Sequence, residues 1–119
     1  PLMLSGASQG MSFLFPMEVL FEKYVGICLR RQMNHGYSLK EQARSEYLVK
    51  HHDQNWFQLK PDFLVESNKS TFSILDTKWK LLNQNADSTQ SKYGLSQSDF
   101  YQLFAYGERY LAGSGDLYL

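Results

Sequence analysis

The sequence predicts an α/β domain with a mixed (α+β) sheet, in the order helix, three strands, helix, strand (α-β-β-β-α-β). Three observations predict it. An apolar three-and-four spacing begins after Pro16; two β-rich runs, Phe57 to Val65 and Thr71 to Trp79, are separated by five polar residues; and a second helical period opens at Ser96.

Residues 1–12 are rich in Gly and Ser and carry no period, so they read as loop or linker, with the domain spanning 13–119. Pro16 suits a first helical turn. Phe15, Val19, Leu20, Tyr24, Ile27 and Cys28 then form the expected core face of a helix from Pro16 to Met33, with Glu18, Glu22 and Lys23 elsewhere around it. Asn34-His35-Gly36 provides the stop, and Arg30 and Arg31 sit in the last turns, where cations favour the helix dipole.

Tyr37 to Lys50 alternates weakly, which fits one strand with an exposed face or an irregular pair, and 51–55 reads as a turn. The runs 57–65 and 71–79 form two strands joined by the loop 66–70. Leu82 to Tyr93, full of Asn, Gln, Ser and Asp, is expected to be a mobile loop. Ser96 and Asp99 have the spacing of a capping box. Phe100, Leu103, Phe104, Tyr106 and Tyr110-Leu111 follow as an apolar face, Gly113 ends the helix, and 116–119 begin a last strand.

Composition bounds what such a domain can do. At 119 residues the chain is one domain by size. No apolar run approaches the roughly 20 residues of a membrane span. Twelve basic and twelve acidic residues cancel, so the chain lacks the basic excess that holds nucleic acid by charge alone. If it acts on DNA, a partner supplies affinity. The single cysteine, Cys28, allows no disulfide within the chain, and with no signal-peptide pattern a reducing cytoplasm is the expected location. The chain opens at Pro1 and stops at Leu119 in what reads as an interrupted strand, so a longer protein is expected.

The residues that carry chemistry lie where the apolar runs meet charge. Asp62 precedes Phe63-Leu64-Val65, and Ile74-Leu75 runs into Asp76. A hairpin would set the two acids side by side. Strand alternation would point Asp76, Lys78 and Lys80 one way and Leu75, Thr77 and Trp79 the other, leaving Trp79 in the core. On its own, Asp-x-Lys is most often an exposed ion pair worth little. Bordering buried strands, these charges need a partner or a metal. Paired carboxylates beside an ammonium can hold a hard divalent cation and act on a phosphodiester. His35, His51 and His52 lack the spacing of zinc ligands, and no phosphate-binding Gly-rich loop with Lys occurs.

Taken with the element order, Pro61-Asp62 and Asp76-x-Lys78 resemble the PD-(D/E)xK nuclease superfamily. The segments Phe13-Leu14-Phe15-Pro16-Met17-Glu18-x-Leu20-Phe21-Glu22-x-Tyr24-Val25, Leu59-x-Pro61-Asp62, Ile74-Leu75-Asp76-Thr77-Lys78-x-Lys80 and Ser98-Asp99-x-Tyr101-Gln102-x-x-x-Tyr106 narrow it. Together they resemble the nuclease part of the McrC subunit of McrBC-type 5-methylcytosine restriction systems.

The resemblance implies a Mg2+-dependent (or Mn2+-dependent) endonuclease acting on DNA with an AAA+ GTPase motor subunit of the McrB kind. It implies Asp62 and Asp76 as metal-binding acids, Lys78 as the catalytic lysine, and Glu22, with Glu18 as runner-up, as an added acid. Gln102 and Tyr106 match the Gln-x-x-x-Tyr element of RecB-like nucleases, expected to touch DNA or brace the site, and Lys80 is expected to meet a phosphate or solvent. Two other readings stay open: a stand-alone repair nuclease of RecB or resolvase type, and a non-catalytic interaction domain of the same fold.

Overall fold

The computed structural model describes residues 16–68, 70–85 and 90–119. The expected loop at 1–12, the motif residues Phe13 to Phe15 and part of the polar loop at 82–93 lie outside them.

Helix α1 (Met17–Gln32) leads into β1 (Tyr37–Glu41), then β2 (Glu46–His51), β3 (Gln54–Leu59), β4 (Phe63–Ser67) and β5 (Ser70–Leu75). A 3-10 turn at Lys92–Gly94 precedes α2 (Gln97–Tyr110) and β6 (Asp116–Tyr118). One mixed sheet has the order β1-β4-β5-β6, while among the described residues β2 and β3 pair only with each other. β1, β4 and β5 are antiparallel neighbours, and β6 lies parallel to β5, reached through α2. A parallel neighbour needs such a crossover, because a tight turn cannot return the chain to the same end of the sheet.

The domain is thus α/β with a mixed sheet, as expected, but with two strands more. The stretch 37–50 divides into β1 and β2, which belong to different sheets. The run 57–65 is likewise two strands: β3 ends at Leu59, and the chain turns through Lys60-Pro61-Asp62 before β4. Pro61 has no N–H to give a ladder, which breaks the run there. The turn at His52-Asp53 has positive φ at both residues (47° and 62°), the handedness that a two-residue hairpin loop requires.

The core is small. Leu64 and Ile74 of the central strands pack with Leu59, Ala43, Tyr106 and Leu111, and Phe63 is fully buried. Burying a side chain of the size of Phe63 or Ile74 contributes about 1.5–3 kcal/mol. α2 starts as its sequence predicts: Ser96 accepts from the Asp99 N–H, and Asp99 accepts from the Ser96 N–H at 3.0 Å.

α1 turns a different face inward from the one its periodicity favours. Val19, Leu20, Tyr24 and Ile27 are about half exposed, and Gly26 is its one buried residue. The half-buried side carries Phe21, Glu22 and Val25. The helix has apolar residues on two sides, so spacing alone could not choose between them. Gly26 decides, because only a residue without a Cβ lets the helix approach the Phe63 ring so closely. Glu22, one turn earlier, is carried in with it.

Candidate active site

Antiparallel register assembles the centre of the site. Phe63 pairs with Leu75, so the residues just outside, Asp62 and Asp76, stand opposite each other where the two strands end. The Asp76 N–H donates to the Tyr118 carbonyl at 2.9 Å, which prolongs the β5–β6 pairing by one residue and fixes the backbone of the second acid. Asp62 Oδ2 accepts from the Thr77 N–H (2.7 Å) and the Thr77 hydroxyl (2.6 Å). Thr77 therefore faces the acids. β5 ends at Leu75, so the alternation expected through Trp79 does not hold beyond it.

All eight residues singled out in the sequence line one cleft of about 380 Å³: Glu18, Glu22, Asp62, Asp76, Lys78, Lys80, Gln102 and Tyr106. Lys60, Thr77 and Trp79 line it too. Trp79 is 51% exposed and stacks tilted on Phe21 at 5.4 Å, so it is a cleft wall and not core.

Asp76 is buried, and burial raises its carboxyl pKa, with the charge of Asp62 adding to the effect and Lys78 opposing it. The Lys78 Nζ lies 2.5 Å from Asp76 Oδ2 as an ion pair. That oxygen has no hydrogen bond of acceptable geometry among the described residues. Lys78 also donates to Gln102 Oε1 at 2.7 Å, so the lysine is strung between α2 and the acid.

Glu22 accepts from Gln42 Nε2 at 2.6 Å. Burial, a hydrogen bond with Asp62 and that group's charge push its pKa up to about 7. Glu22 thus converges on the acids; Glu18 lies in the same cleft and is exposed. Tyr106 is 3% exposed and donates to the Lys60 carbonyl at 3.2 Å, and burial beside Asp76 and Asp62 raises its pKa far above the ordinary phenol value. Here it braces the chain entering Asp62. Lys80 is engaged by Asp99. Burial alone would raise the Asp99 pKa, but the Lys80 ammonium and the Ser96 donors draw it down to about 2. The helix cap of α2 thereby engages the Lys80 ammonium, which was expected to meet a phosphate or solvent.

Three contributors escaped the sequence reading. Gln42 holds Glu22, and Asp99 holds Lys80. Tyr110, the next turn of the Gln102–Tyr106 stripe, donates to the Leu59 carbonyl at 2.9 Å and accepts the Glu46 N–H at 3.3 Å. Only its four-residue spacing from Tyr106 pointed to it.

Hard carboxylate oxygens gathered at one cleft suit a small divalent cation, and the cleft holds no cysteine or histidine that would favour zinc. As the side chains stand, no three acidic, His or Cys groups among the described residues are gathered closely enough to hold an ion. The Lys78 ammonium lies against the second acid instead.

Fold and cleft define a mixed-sheet α/β domain built around a carboxylate–lysine centre. The family model described as "McrBC 5-methylcytosine restriction system component" matches residues 1–119, and the chain belongs to that family. No curated protein and no solved structure matches it. Among the described residues no helix is long and apolar enough to cross a membrane.

Proposed function

We propose that this chain is the metal-dependent endonuclease domain of its restriction system, a PD-(D/E)xK nuclease that hydrolyses DNA phosphodiester bonds. The observation that carries the reading is the convergence of Asp62, Asp76 and Lys78 at the ends of β4 and β5 in one cleft. The chain order of α1, β1, β4, β5, α2 and β6 supports it, with the β2–β3 hairpin as an insertion.

Asp62 and Asp76, with Glu22 beside them, would hold Mg2+ or Mn2+. Bound there, the ion supplies a Lewis acid for the phosphoryl oxygen and a lowered pKa for its water. Thr77 fixes the Asp62 carboxylate through both of its donors, leaving it one orientation. Gln102 holds Lys78 so that its Nζ stays at the cleft, where it can orient the attacking water or neutralise charge growing on the phosphate. Tyr106 keeps the Lys60–Asp62 turn in place. With zero net charge, delivery to DNA rests on the AAA+ GTPase partner.

The test is a calorimetric Mn2+ titration of the protein beside its Asp76→Asn variant, followed by cleavage of methylated DNA with the GTPase partner. Binding that the substitution abolishes, with cleavage lost in parallel, is expected. Metal-dependent cleavage that survives Asp76→Asn would refute the assignment, and a protein that neither binds metal nor cuts would be a connecting domain.

A further inference from the structure

The β2–β3 hairpin is absorbed by none of this. Among the described residues it pairs with no other strand, and an isolated two-stranded ribbon is marginal in water. Yet it exposes large aromatic groups: Trp56 is 44% exposed and Phe57 68%. His51 lies against Trp56 with ring centroids 4.6 Å apart and meets His52 edge-on at 4.1 Å, so three rings cluster beside the turn. Phe57 has φ of 58°, a left-handed conformation that a bulky residue rarely adopts. Such strain persists where something other than folding favours that ring in that place.

The hairpin is mounted on the cleft. Tyr110 ties both of its strands to α2, through the Glu46 N–H and the Leu59 carbonyl, and three residues after Leu59 comes Asp62. Its two acids are each matched to a cation, Asp53 to Lys50 (3.8 Å) and Glu46 to Arg109 (3.6 Å). Exposed Arg44 and Lys60 flank it with no acidic partner among the described residues. Unpaired cations at the base and exposed aromatic rings beyond them suit a nucleic-acid duplex, whose phosphates the cations can meet and whose base steps an apolar ring can enter.

We propose that the β2–β3 hairpin is a DNA-gripping arm: Arg44 and Lys60 meet phosphates beside the scissile bond, and Phe57 enters as an apolar wedge at a base step of the flanking duplex. This rests on the nuclease reading. A six-residue strand reaches about 20 Å, so the arm would engage roughly six base pairs to one side of the cut.

The experiment uses the full-length protein carrying Asp62→Asn, which leaves DNA uncut, assembled with its GTPase partner, with and without Phe57→Gly. Glycine accepts the positive φ freely, so this variant should melt no lower than its parent. Affinity is read by anisotropy of a labelled duplex, and heparin serves as a polyanion without bases. The expected result is about a tenfold loss of duplex affinity on Phe57→Gly, with heparin binding unchanged. Equal duplex affinity would overturn the arm, while loss of cleavage in Asp62→Asn alone would leave the nuclease reading standing. A parent that neither binds DNA nor, without Asp62→Asn, cuts it in the assembled complex would overturn both.

Discussion

Replacing Gly26 by alanine tests how α1 is seated. In an exposed helix interior this change stabilises by about 1 kcal/mol, since alanine is the better helix former. Here the new Cβ would lie 3.0 Å from Phe63 Cε1 and 3.4 Å from its Cζ, and closer still to Glu41 Oε1. The Glu41 carboxylate can swing away, at the expense of its ion pair with Arg30 (3.1 Å), which is exposed and worth little. The Phe63 ring is fully buried and cannot swing away. Carbon atoms sit comfortably at about 3.5–4.0 Å, so helix and sheet must separate by roughly half an ångström. Overpacking of that kind costs about 1–3 kcal/mol, which outweighs the gain in propensity and leaves a net loss of about 1 kcal/mol. Thermal melting followed by circular dichroism should fall by about 4 °C. Because Glu22 lies one turn from Gly26 on the same side, the separation also draws it away from Asp62, and Mn2+ affinity should fall with stability. A Gly26→Ala protein that melts higher than wild type, with metal affinity intact, would refute the close seating of α1.

The companion change Gly107→Ala should be near neutral in the same melting assay, since its Cβ meets only the movable end of the Leu117 side chain at 3.0 Å. Lys78→Met should abolish cleavage and, by leaving buried Asp76 without its ion pair, cost about 1–3 kcal/mol in urea unfolding. Asp76→Asn combined with Lys78→Met should recover part of that loss without restoring cleavage. The folded pKa of Glu22, about 7, lies above its usual 4.5, so the native protein binds the extra proton. Without added metal, the contribution of this group to stability should therefore be fully present below about pH 4.5 and be lost as pH rises through 7. Solvent screening limits the decline to about 1 kcal/mol, and Glu22→Gln should remove it in urea titrations across that range. Ser96→Ala should cost about 1 kcal/mol by removing the α2 cap.

The parts of this molecule legible in the sequence are those fixed by neighbours along the chain. The α2 cap needs only Ser96 and Asp99, and the meeting of Asp62 with Asp76 follows once two strands and a short loop are granted. What was hidden depends on distant residues. Which face of α1 turns inward is set by the fit of Gly26 to Phe63, 37 positions away. Alternation could not foresee that β5 would end at Leu75, nor that Thr77 would turn to Asp62. Lys80 looked free because its partner, Asp99, already had a role as a helix cap. Gln42 carries no signal, being one polar residue among several, and reaches Glu22 only because β1 lies under α1. The hairpin was masked by the apolar run 57–65, whose break at Pro61 is plain only once both sheets are known.

The bond from the Asp76 N–H to the Tyr118 carbonyl has a consequence for synthesis on the ribosome. Asp62 and Asp76 emerge early and can pair through the β4–β5 hairpin at once. The backbone of Asp76 is locked only when β6 docks beside β5, which requires α2 to have crossed the sheet first. Contacts of such separation form late. A nascent chain that stalls within α2 therefore carries both acids and the lysine, with neither Gln102 and Tyr106 fully in place nor the strand that fixes Asp76. On the proposed nuclease reading, the centre matures after the rest of the sheet, so truncated translation products should be inert toward the cell's own DNA.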